Sequence, residues 1–296
     1  VPFKGLSAFP ITPADDDGII DTSALGRLVA RLAAAGVHSI SVLGSTGSAP
    51  YFTQSQRRRA IEAAVEAAGH VPVIAGIGAL RTSEAIRLGR DAAAAGATAV
   101  LLAPVSYTPL TEAEVYHHVL AVVDAIDLPL CIYNNPGTTQ FTFSPALVSR
   151  LSGAARIQAV KNPAPPADAV GGALATLRGL VPNGFSLGYS VDWHAAEALL
   201  AGADAWYSVL AGTLPALCLP IVQAAAGGDA ARTRALNARL APVWALFRQH
   251  TSIRVIYAMV NLLGLGPATP PRPILPLAAE AQRDIAAALE TLGISL

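Results

Sequence analysis

The chain has 296 residues, a mean hydropathy of +0.47 and only 14% charged residues, so it can bury a large core and is not expected to be disordered. Its formal net charge is zero, its pI is about 7.2 and no basic stripe is present, which excludes nucleic acid as an expected partner. No run of roughly 20 apolar residues stands out as a membrane span, and residues 1–20 lack the basic start and apolar centre of a secretory leader.

Short apolar runs alternate with amphipathic stretches along most of the chain. Strands are expected at 3–10, 39–43, 71–77, 99–104, 129–133, 157–161, 185–188 and 205–210. Helices are expected to follow them at 21–35, from 53 onward, and at 82–95, 111–125, 144–151, 168–177, 192–201 and 214–226. Val100-Leu101-Leu102 is uniformly apolar, as a parallel strand covered on both faces should be. Eight such units predict an α/β fold, the closed (β/α)8 TIM barrel, whose usual size is about 250 residues. Thr82-Ser83-Glu84 reads as a helix cap. Gly36, Gly96 and Gly202 follow Ala-rich helical runs and read as C′ glycines. Arg57-Arg58-Arg59, the densest basic run, reads as a solvated helix face. Beyond the eighth unit, helices are expected at 229–250, 252–263 and 277–292, with a proline-rich segment at 266–276. The expected organisation is a barrel over 1–226 and a helical extension over 227–296 packed against it.

The chemistry of such a barrel sits at the carboxyl ends of its strands. Lys161 ends the sixth strand. It is one of only two lysines, the other being Lys4, against eighteen arginines. Where arginine has replaced lysine nearly everywhere, a retained lysine points to a property arginine lacks: a neutral amine that can attack a carbonyl. An apolar barrel mouth disfavours the ammonium form. The plain alternative is a lysine that ends a strand and reaches solvent. Tyr133 ends the preceding strand, 28 residues earlier, which places it beside Lys161 on a neighbouring strand. A phenol there can shuttle a proton, although a half-buried core tyrosine reads the same way. Gly44-Ser45-Thr46-Gly47-Ser48 follows the second strand and is suited to an anion nest of backbone amides; Gly/Ser/Thr turns are also common without any such role. On the eighth strand, Trp206 and Tyr207 must face opposite ways, and either residue could shape a pocket.

Other chemistries find little purchase. The histidines at 38, 70, 117, 118, 194 and 250 have no metal-ligand spacing, so no metal is expected. Gly76-Ile77-Gly78 lacks the rest of a dinucleotide fingerprint. Cys131 and Cys218 sit in apolar surroundings and read as buried free thiols of a reducing, cytoplasmic compartment.

In order and spacing, Phe9-Pro10-Ile11-Thr12-Pro13, Gly44-Ser45-Thr46-Gly47, Val73-Ile74-Ala75-Gly76-Ile77-Gly78, Ile132-Tyr133-Asn134-Asn135-Pro136 and Ala159-Val160-Lys161 resemble the dihydrodipicolinate synthase / N-acetylneuraminate lyase family over essentially the whole chain. The resemblance implies a class I aldolase, lyase or dehydratase that binds a 2-oxo acid as a covalent imine on Lys161, with no separate cofactor. It implies that Tyr133 transfers the proton. Ser45 and Thr46 would bind the 2-oxo acid carboxylate, and Ser45 would link Tyr133 to a relay tyrosine, Tyr107. Gly188 and Tyr207 would line the pocket. It also implies a homotetramer in which Tyr107 crosses between subunits.

Three positions depart from the family pattern. Ser48 replaces a glutamate, and Asn162-Pro163 follows the lysine where an acidic residue is usual. Gly137-Thr138-Thr139 lacks the arginine that grips a carboxylate on the aldehyde partner of the synthases. Thr138 is then expected to face the substrate tail. A substrate such as pyruvate or a 2-oxo-3-deoxy sugar acid is expected, and true dihydrodipicolinate synthase activity is not. The alternative is a non-catalytic member that binds a 2-oxo acid.

Overall fold

The structure, a computed structural model, describes residues 2–296. Eight parallel strands hydrogen-bond in sequence order and close into a barrel: β1 (Gly5–Ala8), β2 (Ser39–Val42), β3 (Val73–Gly76), β4 (Ala99–Leu102), β5 (Leu130–Tyr133), β6 (Ile157–Pro163), β7 (Ser186–Ser190) and β8 (Ala205–Ser208). The helices alternate with them: α1 (Thr22–Ala34), α2 (Gln54–Ala68), α3 (Thr82–Ala94), α4 (Glu112–Asp124), a single turn α5 (Pro136–Thr139), α6 (Pro145–Ser152), α7 (Ala167–Arg178), α8 (Ala195–Leu200) and α9 (Pro215–Ala226). Four more follow: α10 (Ala230–Arg239), α11 (Ala241–His250), α12 (Ser252–Leu262) and α13 (Ala279–Thr291).

Local chemistry accounts for many helix boundaries. Thr53 and Thr111 open α2 and α4 with full capping boxes, paired with Gln56 and Glu114. Asp21, Ser144 and Asp229 cap α1, α6 and α10 with a side-chain oxygen. Gly36, Gly96 and Gly202 take left-handed φ values of +81°, +87° and +100° just past their helices, as expected. Thr82 is not a cap. Arg81 holds the cap position without a side-chain bond, and Thr82 instead pairs its hydroxyl with His118 Nδ1 at 2.9 Å. The helix expected over 229–250 is two helices that meet at Leu240, with Pro242 in the first turn of the second. Proline fits a first turn because the N–H it lacks would have no intrahelical partner there.

Burial divides the apolar residues into two sets. The larger lies between the strands and the helices and takes in outward strand residues such as Ile40, Val100 and Leu187. The smaller fills the barrel interior: Phe3, Phe9, Ile74, Ala99, Leu101, Cys131, Tyr133, Ala159, Ala205 and Tyr207. Along β8, Trp206 turns outward and Tyr207 inward. Trp206 donates its Nε1–H to Asp192 Oδ1 at 2.9 Å, so it does not shape the barrel pocket. Asp192 also accepts from the Val209 and Leu210 amides at 3.3 and 2.8 Å, which ties the turn after β8 to the segment after β7. Burial pushes its carboxyl up, and the three N–H donors only partly offset that.

The arginine run is not a uniform solvated face. Arg58 and Arg59 are exposed, whereas Arg57 is buried and donates to the carbonyls of Gly76 at 2.8 Å and Gly78 at 3.1 Å. Gly76 ends β3 and Gly78 lies just beyond it, so the guanidinium ties α2 to the exit of that strand. A guanidinium fork supplies several donors at once, which is why the position suits arginine.

Candidate active site

Tyr133 and Lys161 are register partners across β5 and β6, and Lys161 is likewise opposite Gly188 across β6 and β7. All three therefore lie in one layer at the carboxyl end of the barrel. The Asn134 amide donates to the Lys161 carbonyl at 3.0 Å and locks the two strand ends together.

Lys161 is 3% exposed, while the other lysine, Lys4, is exposed. Its Nζ lies 3.8 Å from the ring centroid of Phe9, 4.0 Å from that of Tyr133 and 5.8 Å from that of Tyr207. Among the described residues no carboxylate forms an ion pair with it. The amine is thus walled by aromatic carbon and held in the barrel. It does not reach out to bulk solvent.

Tyr133 sits where three polar groups converge. Its hydroxyl is 3.3 Å from Ser45 Oγ and accepts from Asn135 Nδ2 at 3.0 Å, and the same amide reaches Ser45 Oγ at 3.3 Å. Ser45 and Thr46 lie in the turn that follows β2 and Leu43. Their backbone amides donate to no other group among the described residues, so they remain available to an anion. Gly47 allows this turn to fold tightly: a Cβ there would stand 2.7 Å from the Leu43 nitrogen.

Gly188 and Tyr207 form a single feature. A Cβ on Gly188 would be 2.3 Å from Tyr207 Cε2, so only glycine lets the ring lie across β7. Tyr207 is fully buried. It meets Phe9 edge-on at 6.1 Å and turns its hydroxyl toward Cys131 Sγ at 3.6 Å, away from the mouth. It makes the floor below Lys161. Burial and the neighbouring thiol push this phenol well above its ordinary range, and burial pushes Cys131 up to about 12, so both stay protonated and inert.

Tyr107 stands apart. It is 92% exposed in the loop after β4, and no hydrogen bond joins it to Tyr133 or Ser45. Thr138 lies in α5, where its amide and hydroxyl both donate to the Asn135 carbonyl, at 3.0 and 3.3 Å. The three departures also have local partners. Ser48 Oγ is 3.4 Å from Tyr257 OH on α12, and Asn162 accepts from Asn134 Nδ2 at 3.0 Å. The turn Pro136–Thr139 carries no cation. Asn135, which sequence reading quoted only as part of a motif, is a contact of both Tyr133 and Ser45. Its signal was an amide two residues after the phenol, too common a pattern to stand out.

Among the described residues, no group of three or more His, Cys, Asp or Glu could hold a metal ion, and no helix is long and apolar enough to cross a membrane. A cleft of about 560 Å³ lies elsewhere, between α3 and α4, lined by Leu80, Thr82, His117 and His118. None of the Lys161 group lines it.

A closed parallel barrel with a buried lysine and a phenol on adjacent strand ends defines a class of Schiff-base-forming aldolase barrels. Comparison with known proteins narrows the class. The sequence profile of the dihydrodipicolinate synthetase family matches residues 2–292, and the chain belongs to that family. It is 35% identical to a 4-hydroxy-tetrahydrodipicolinate synthase of Gluconacetobacter diazotrophicus, over 99% of this chain and 98% of the relative. It is 36% identical to the Methylococcus capsulatus protein of the same name, over 96% of each. A crystal structure of dihydrodipicolinate synthase from Agrobacterium tumefaciens superposes with a TM-score of 0.96 at 53% identity, covering 98% of both chains. Members of the family are lyases that work through a covalent lysine–pyruvate Schiff base without an external cofactor, which favours the enzymatic reading over a non-catalytic binder. The expectation against synthase activity finds no support in the relatives, which carry the synthase name.

Proposed function

We propose that Lys161 forms an imine with a 2-oxo acid, pyruvate or a 2-oxo-3-deoxy sugar acid, and that Tyr133 moves the protons of an aldol or dehydration reaction. The observation that carries this reading is the amine of Lys161 held 4.0 Å from the Tyr133 ring, with no carboxylate paired to it among the described residues. The amine attacks the ketone carbon, and the resulting carbinolamine loses its hydroxyl as water with the Tyr133 proton. The phenolate left behind then takes a proton from C3, and that C–H electron pair forms the enamine double bond. The free backbone amides of Ser45 and Thr46, together with their hydroxyls, suit the substrate carboxylate. Tyr207 and Gly188 form the floor that sets how deep the substrate sits. Thr138 faces the tail through α5, although its hydroxyl is already engaged with the Asn135 carbonyl.

Residues 1–226 carry this chemistry as a barrel domain, and 227–296 serve as a helical extension, joined to the loop after β2 through Tyr257 and Ser48. The exposed ring of Tyr107 suits a homotetramer in which a second copy covers it and brings it toward a neighbouring Tyr133. A cytoplasmic location fits the two free thiols.

Borohydride reduction in the presence of pyruvate, read by mass spectrometry, tests the imine. The expected product is a single adduct on Lys161; its absence would refute the reading. Pyruvate release from 2-oxo-3-deoxy sugar acids, compared with condensation of pyruvate with aldehydes with and without a carboxylate, then separates cleavage, dehydration and synthase activity.

A further inference from the structure

The amide of Asn135 touches the phenol oxygen that the proposed reaction uses, yet that reaction assigns it nothing. We infer that Asn135 is a positioning residue for proton transfer by Tyr133, an inference that rests on the Schiff-base reading above. A phenol oxygen has one hydrogen to give and lone pairs to receive. The Asn135 amide nitrogen can only donate, so its 3.0 Å contact occupies a lone pair of Tyr133. The Tyr133 hydrogen must then point elsewhere, toward Ser45 Oγ at 3.3 Å or toward an adduct on Lys161.

The same contact matters more once the proton has left. Hydrogen bonds to an ionised oxygen are stronger than those to a neutral one, so the amide favours the phenolate that must form before C3 is deprotonated. The geometry is held firmly. The Asn135 carbonyl accepts from the amides of Thr138 and Thr139, each at 3.0 Å, and from both hydroxyls, at 3.3 and 3.0 Å. These four donors fix the backbone from which the amide side chain reaches back over Tyr133. Tyr107, the tyrosine expected as a relay, reaches neither Tyr133 nor Ser45 within the chain, whereas Asn135 touches both.

The test separates imine formation from proton transfer. Asn135→Val removes the donor, and Asn135→Asp replaces it with an acceptor that opposes the phenolate. Each variant is given pyruvate in D2O, and exchange of the methyl protons is followed by NMR alongside borohydride capture on Lys161. Capture should persist in both variants and so report an intact site. Exchange should fall about ten- to hundredfold in Asn135→Val, the worth of one hydrogen bond to a charged oxygen, and further in Asn135→Asp. The pH at which exchange in Asn135→Val reaches half its maximum should move upward, which mere loosening of the loop would not produce. Capture with wild-type exchange rates in both variants would overturn this inference alone. Loss of capture in both variants would also overturn it, because Asn135 would then be needed for the imine itself. Failure of the wild type to be captured would remove the Schiff-base reading as well.

Discussion

The floor and the mouth of the barrel interior are two residues apart on the same strands, and they differ completely in chemistry. At the floor, Cys131 and Ser186 face the Tyr207 hydroxyl; one pleat further on, Tyr133 and Lys161 face the opening. The floor tyrosine is sealed, paired to a thiol and held neutral by burial. The mouth tyrosine meets a serine and an amide, groups that can pass a hydrogen bond on to a substrate. A phenol in a barrel is therefore inert or useful according to where its hydroxyl reaches, the sealed layer around Cys131 or the polar groups at the mouth.

Removing the mouth amine should break the contrast outright. Lys161→Ala is expected to abolish borohydride capture of pyruvate and to lower turnover at least about a thousandfold, the nucleophile being lost with no substitute. Retained turnover would mean that the chemistry lies elsewhere. Tyr133→Phe should be milder, lowering kcat on the order of a hundredfold or more while capture persists slowly, since the phenol contributes proton transfer and not the covalent bond. The matching change at the floor, Tyr207→Phe, should alter kcat far less; equal losses at both tyrosines would erase the distinction drawn between them.

The floor is expected to matter for stability instead. Gly188→Ala places a methyl group 2.3 Å from the Tyr207 ring, which Phe9 and Cys131 keep from moving. Overpacking of this kind typically costs about 1–3 kcal/mol, readable as a lower urea midpoint. Shrinking the ring in Gly188→Ala/Tyr207→Leu should recover part of that loss, and simple additivity of the two changes would refute the contact. The smallest effect concerns alkaline pH. Cys131 ionises near 12 when folded and near 9.0 in the ordinary case, so between those values the native state keeps a proton that the unfolded chain has shed. Its contribution is fully present below about pH 9 and is lost as pH rises through 12. The fall in urea midpoint across that window should be shallower in Cys131→Ala than in the wild type.

The barrel was legible because its signals are local. Apolar runs of strand length, capping residues such as Thr53 and Thr111, and left-handed glycines at Gly36, Gly96 and Gly202 each act within a few residues. Lys161 and Tyr133 were legible for a related reason: parallel strands one unit apart must bring their ends together. The errors came where a distant partner decided. Arg57 looked like its solvated neighbours until the carbonyls of Gly76 and Gly78 were found beside it. Thr82 has the chemistry of a cap but gives its hydroxyl to His118, on the next helix.

By itself, the sequence determined the α/β repeat, the strand ends that carry the lysine and the phenol, and the glycines without which the turns could not close. Those follow from side-chain periodicity and backbone sterics, which a chain carries with it. Only the tertiary structure decided that Asn135 meets Tyr133, that Tyr207 points down and that Ser48 finds Tyr257. Such pairings depend on which surfaces the closed barrel brings within about 3 Å of each other, a distance no spacing along the chain encodes.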